Sequence, residues 1–102
     1  MPYGDWVNEL PTGFFLAVHI AAFAIGVSFA WAAFRRELTL LGSAFSLFAA
    51  AELVYMTYHL DWTVFLFAHT VAEVLDLAAF VLVFAAAVQT VRSGRRAEPL
   101  RA

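Results

Sequence analysis

The chain contains no cysteine and no lysine, and it has three prolines, five glycines and only 14% charged residues among its 102 positions. Without cysteine there is no disulfide framework and no thiolate metal ligation, and nothing marks a redox compartment. Without lysine, arginine alone carries positive charge. A net charge of −2, with the basic residues placed as flanking anchors rather than a groove-sized patch, argues against a nucleic-acid partner. Long polar segments are missing too, which leaves no room for a soluble domain. No nucleophile–base constellation occurs, so an independent enzyme is not expected.

What the chain does have is apolar length. It is 64% hydrophobic, with a mean hydropathy of +0.81, well outside the usual range for a soluble domain of this size. Three stretches, residues 13–34, 38–60 and 64–91, are each long enough at about 1.5 Å per residue to cross a hydrocarbon core of roughly 30 Å. The expectation is an all-α integral membrane protein. Residues 1–102 would form one membrane domain of three transmembrane helices in an up-down-up bundle, closed by a frayed polar tail over 93–102.

Orientation follows from the arginines. Arg35 and Arg36 follow the first stretch, and Arg92, Arg95, Arg96 and Arg101 follow the third, whereas the N-terminal segment and the second turn carry none. The positive-inside rule then predicts an N-terminus outside and a C-terminus in the cytoplasm, in a multi-pass protein of the plasma membrane. The N-terminal segment also lacks the basic region of a secretory signal peptide, so the first helix is expected to be retained. Tyr3, Trp6 and Trp62 fall at the outer interface, and Trp31 and Phe34 at the inner one, as an aromatic belt requires. Thr12 is a candidate cap for the first helix, and Asp61 or Thr63 for the third. The brevity of the Arg35-Arg36-Glu37 and Asp61-Trp62-Thr63 turns makes consecutive helices antiparallel neighbours.

Helical spacing sorts the remaining residues. Ala22, Gly26 and Ala30 recur every four residues and form a close-packing face, with His19 on the same side. The second helix carries a polar stripe of Glu52, Tyr55, Met56 and His59, in which Tyr55 and Met56 read as packing residues. The third carries His69, Glu73 and Asp76. By depth, His19, His59 and His69 form an outer histidine tier above a central tier of Glu52, Glu73 and Asp76. A charge near the bilayer centre costs roughly 2.5 to 3.5 kcal/mol, so these groups are expected to be paired, neutralised, hydrated or sheltered in an interface. His69 precedes Glu73 by one turn, so an imidazole–carboxylate pair within one helix is open to them.

Three functional readings follow. In the first, Glu52, Glu73, Asp76 and His69 relay protons or cations within an oligomer or complex, with no cofactor required. In the second, His19, His59 and His69, with Glu73 as a further ligand, hold a metal or haem, although no two of them have the i, i+4 spacing of a helix-borne ligand pair. In the third, the polar residues only glue helices together.

A family likeness bears on this choice. The Arg35-Arg36 turn leading into Leu38-Thr39-Leu40-Leu41-Gly42, with Ala72-Glu73 followed by Leu77-Ala78, resembles the small K-type membrane subunit of respiratory complex I and its relatives in multisubunit cation/proton antiporters. The resemblance implies three helices and a place for Glu73 on a proton-transfer axis. The chain departs from that pattern in the second helix. The family's glutamate falls shortly after the glycine, where this chain reads Ser43-Ala44-Phe45-Ser46, and Glu52 comes at least two turns later. The histidines and Asp76 also lie outside the pattern. The residues and the resemblance together point to proton or cation transfer by a homo-oligomer or a subunit of a larger membrane complex, with the lipid bilayer as surroundings.

Overall fold

A computed structural model describes the backbone of residues 3–101 and the side chains of residues 3–94. After a short 3-10 helix, Asp5–Glu9, three α-helices follow: α1, Thr12–Arg35; α2, Thr39–His59; and α3, Phe65–Arg101. All three are long and apolar enough to cross a membrane, the third over Phe65–Gly94. The polar end of the chain differs from expectation. Residues 93–101, read as a frayed tail, continue α3. The three arginines, Ala97, Glu98 and Leu100 of this segment are good helix formers, set against Gly94 at about 1 kcal/mol and Pro99 at about 3 kcal/mol.

Contacts set the directions of the helices. Phe34 packs at Gly42, Gly26 at Ala49 and Phe15 at His59, so α1 and α2 run antiparallel. Tyr58 against Phe65 and Tyr55 against Glu73 make α2 and α3 antiparallel in turn. No Cα of α1 comes within 8 Å of one of α3. The three helices therefore form a layer with α2 in the middle, not a closed bundle, and the molecule measures 62 × 29 × 20 Å.

The seams of the layer are made of small residues. Gly26, Ala30 and Ala33 on α1, Gly42, Ala44, Ala49 and Ala51 on α2, and Ala68, Ala72, Ala79 and Ala86 on α3 are buried, and among the described residues no larger apolar side chain is. Ala22, expected with Gly26 and Ala30, is half-buried. A Cβ at Gly26 would meet the Ala49 Cβ at 3.3 Å and the Ala49 Cα at 3.5 Å, so the missing side chain sets the approach of α1 to α2. Ala51 lies about 200° round the helix from Ala49, on the α3 side. In lipid there would be little hydrophobic drive between such helices, and close backbone approach of this kind would supply the packing energy.

Both turns close their preceding helix in the same way. Glu37 and Asp61 each have φ 62. Leu38 N–H donates to the Ala33 carbonyl and Glu37 N–H to that of Phe34, while Trp62 N–H donates to Thr57 and Asp61 N–H to Tyr58. These paired bonds are Schellman motifs. Asp61 therefore ends α2 and does not cap α3. The Thr63 hydroxyl is bonded to that of Thr57 at 2.9 Å. Thr12 is the first residue of α1, where no side chain caps the helix.

Candidate functional site

The hydroxyls within the spans leave little for interhelical glue. Ser28, Ser46 and Thr90 donate to the carbonyls of Ala24, Gly42 and Ala86, four residues back on their own helices. Among the described residues, two polar contacts tie one span to another. His19 on α1 meets Glu52 on α2 with Nδ1 2.5 Å from Oε2. Tyr55 on α2 donates its hydroxyl to Glu73 Oε1 on α3 at 3.3 Å.

Tyr55 joins the two. Its ring stacks on His19 with centroids 5.2 Å apart, while its hydroxyl reaches the other way, to Glu73. His59 extends the array outward, 5.1 Å from His19 and stacked on Phe15 at 4.9 Å. The result is a belt of polar and aromatic groups running α1 to α2 to α3. It lies at intermediate depth: Glu52 stands about 5 Å from the middle of its span and Glu73 about 10 Å from the middle of its own, both towards the end that carries the Asp61 turn.

The belt occupies one face of the layer. Around α2, Glu52, Tyr55 and His59 fall with Phe45 and Phe48 within about 80° of arc, between the α1 and α3 seams. Around α3, His69, Glu73, Asp76 and Phe80 fall within about 60°. The side chains of His19 and Glu52 are 18% and 12% exposed, whereas His69 and Glu73 are open at the surface of the isolated chain. Asp76 is half-buried, and its Oδ1 is enclosed without a hydrogen-bond partner.

Several expectations change here. The three histidines do not gather. His19 and His59 are neighbours with their rings tilted 31° to one another, but His69 lies on α3 against the Phe65 ring, centroids 5.2 Å apart. Among the described residues no three histidine or carboxylate side chains converge as a metal site. The one-turn pair of His69 with Glu73 is not made, because Glu73 turns to Tyr55 instead. The two tiers are not separate either: His19 reaches down to the carboxylate level through Glu52. Tyr55, read as packing, is the residue that links both carboxylates' surroundings. The available signal was its position one turn after Glu52, on a helix face that already held a second ionisable group.

Arg35 and Arg36 lie at the opposite end of the layer from the His19–His59 pair, and Arg92 follows the same end of α3; the side chains of Arg95, Arg96 and Arg101 lie outside the described residues. Comparisons with protein-family models, with curated proteins and with solved structures give no match.

Proposed function

We propose that this chain is a small multi-pass membrane subunit, acting as a homo-oligomer or within a larger complex, that takes part in proton or cation transfer. The observation that supports the reading most is the belt from His19 and Glu52 through Tyr55 to Glu73. It places two carboxylates, an imidazole and a phenol on one face of three spans, where ionisable groups are costly and mark ion pathways. In this scheme the proton moves between His19 Nδ1 and Glu52 Oε2, and the Tyr55 hydroxyl, already donating to Glu73, is the group through which Glu73 is reached. Asp76 lies one turn inward and tunes or shares the proton of Glu73, and His69 connects Glu73 to the outer side. The resemblance to the complex I subunit also gives Glu73 this role. The exposure of Glu73 and His69 within a span supports an assembled state, since three helices in an open layer enclose no aqueous path.

The orientation belonging to this scheme is N-terminus outside, in the plasma membrane, with the arginines in the cytoplasm. An impermeant thiol reagent applied to intact cells should label a cysteine placed at Asp61 and spare one placed at Ser93.

The test of function is flux. The protein, with any chains that co-purify, is sealed into vesicles, and proton and cation movement are followed for wild type, Glu73→Gln and Glu52→Gln. Glutamine keeps the shape and much of the hydrogen bonding but cannot carry the proton. Loss of flux with helicity and assembly intact is the expected result. Undiminished flux in both variants would return the carboxylates to a purely structural role, holding α1 to α2 and α2 to α3.

A further inference from the structure

Because α1 and α3 flank α2 with their backbones apart, a groove of about 430 Å³ runs between them on the belt's face, inward of Glu73. Its walls are aromatic on all three helices: Phe29 from α1, Phe45 and Phe48 from α2, and Phe80 from α3, with Gly26 at the α1 seam. The one ionisable group lining it is Asp76. The groove opens sideways, along the surface that a bilayer would cover, and Phe80 there is 73% exposed.

Asp76 Oδ1 is enclosed and accepts no hydrogen bond among the described residues. An acceptor in such surroundings is costly until a donor or a cation reaches it. The protein's own cations are remote: Arg92 is 16 residues further along α3, about 24 Å by helix rise. Glu52, paired with His19, and Glu73 lie on the same face, and the groove is lined by one acidic side chain and no basic one. The occupant that complements it is positive.

Its other properties follow from the walls. A divalent metal ion needs six or more oxygen ligands or a compact imidazole–carboxylate set, and none converges here. Phenylalanine faces instead attract organic cations, more strongly when water is excluded, and the volume suits a ligand of drug-like size. A second copy seated on the groove by a two-fold is disfavoured by charge, which leaves other modes of assembly open. A two-fold interface is self-complementary, so it would set this carboxylate-bearing face against its own image. We propose that the groove is a binding site for a lipophilic organic cation, an amine or onium ion entering from the bilayer, with Asp76 as its counter-ion. The proposal does not rest on the proton-transfer reading.

The test uses the full chain in lipid nanodiscs and two probes of matched size and shape, tetraphenylphosphonium and tetraphenylborate, with binding read by equilibrium dialysis. Tetraphenylphosphonium should bind saturably, about once per chain, and tetraphenylborate should not. Asp76→Asn should weaken the cation roughly tenfold or more, the size of one desolvated charge contact. Val83→Trp, which blocks one end of the groove and leaves Asp76 in place, should weaken it as well. Val27→Trp, on the opposite face of the layer, should leave binding unchanged. The proposal falls if wild type shows no saturable cation binding, if the anion binds as well, or if Asp76→Asn and Val83→Trp bind like wild type. Efficient cross-linking between chains through a cysteine at Phe80, with no cation bound, would overturn it in favour of an interface between copies. Flux through the belt is read separately, so either result leaves the other standing.

Discussion

One face of the helix layer carries Glu52, Tyr55, His59, His69, Glu73 and Asp76. The other, where α1 meets α2, presents Phe23, Val27, Ala50 and Leu53 around Ser46, whose hydroxyl is already bonded to the Gly42 carbonyl. Both faces are open in the isolated chain, but they would fare differently in lipid. The apolar face can meet acyl chains directly. The polar face holds two carboxylates whose partners come from the neighbouring helix and a third with an enclosed oxygen that has none. Exposure alone therefore does not identify the working surface of a membrane protein; unmet polar capacity does.

The most severe way to break this contrast is to move a carboxylate across it. Glu52 is tolerated because His19 meets it, whereas Leu53, the next residue, is 47% exposed and faces the apolar side. Leu53→Asp should lower insertion or folding stability by about 3 kcal/mol, the penalty for an unpartnered charge at that depth. A membrane-insertion reporter and thermal unfolding of the purified chain would measure it. A change under about 0.5 kcal/mol, typical of an indifferent surface site, would mean that the two faces are not energetically distinct.

Gly26→Leu acts on the seam from which both faces hang. A Cβ there would already lie 2.9 Å from Phe48 Cδ1 and 3.3 Å from the Ala49 Cβ, so a leucine forces α1 from α2. A loss of about 1 to 3 kcal/mol is expected from overpacking, with Gly26→Ala intermediate. The separation should also stretch the His19–Glu52 contact two turns away, so the polar face should suffer beyond the stability change. Chemical shifts of the His19 ring in the two variants would report this directly, and unchanged shifts alongside unchanged stability would mean that the seam is not held by close approach.

How far the sequence revealed this arrangement depends on the range of each determinant. The three apolar helices, the tight turns and the Gly26–Ala30 packing face are local matters of length, hydropathy and small-residue spacing, and they are readable along the chain. The partners of the carboxylates are not local. His19 meets Glu52 because Gly26 against Ala49 and Phe34 against Gly42 set the register of α1 on α2, and neither contact is implied by periodicity within one helix. The same register leaves the α1 and α3 backbones apart, so the antiparallel neighbours that short turns suggest form an open layer with a groove. Tyr55 on an apolar helix reads as packing, and its ring does pack on His19, while its hydroxyl bonds Glu73 across the seam. The extension of α3 was hidden by Ser93, Gly94 and Pro99, residues that punctuate helices statistically without ending this one.

The smallest expected effects lie at the turns, on neither face, and they calibrate the others. Glu37 and Asp61 both sit at φ 62, a left-handed conformation that costs a side-chain-bearing residue about 1 kcal/mol or more. Glycine adopts it freely but loses more backbone entropy on folding, so part of the gain is returned. Aspartate tolerates this region better than glutamate, because its short side chain can bond locally. Glu37→Gly should therefore stabilise the protein by up to about 1 kcal/mol and Asp61→Gly by only a few tenths. Flux and cation binding should be unmoved by either, since neither residue contacts the belt or the groove. Thermal unfolding of the two variants side by side is the measurement. A destabilised Glu37→Gly would show that the Glu37 side chain contributes more than its backbone costs, and a change in cation binding in either variant would show that the turns, and not the seams, hold the groove open.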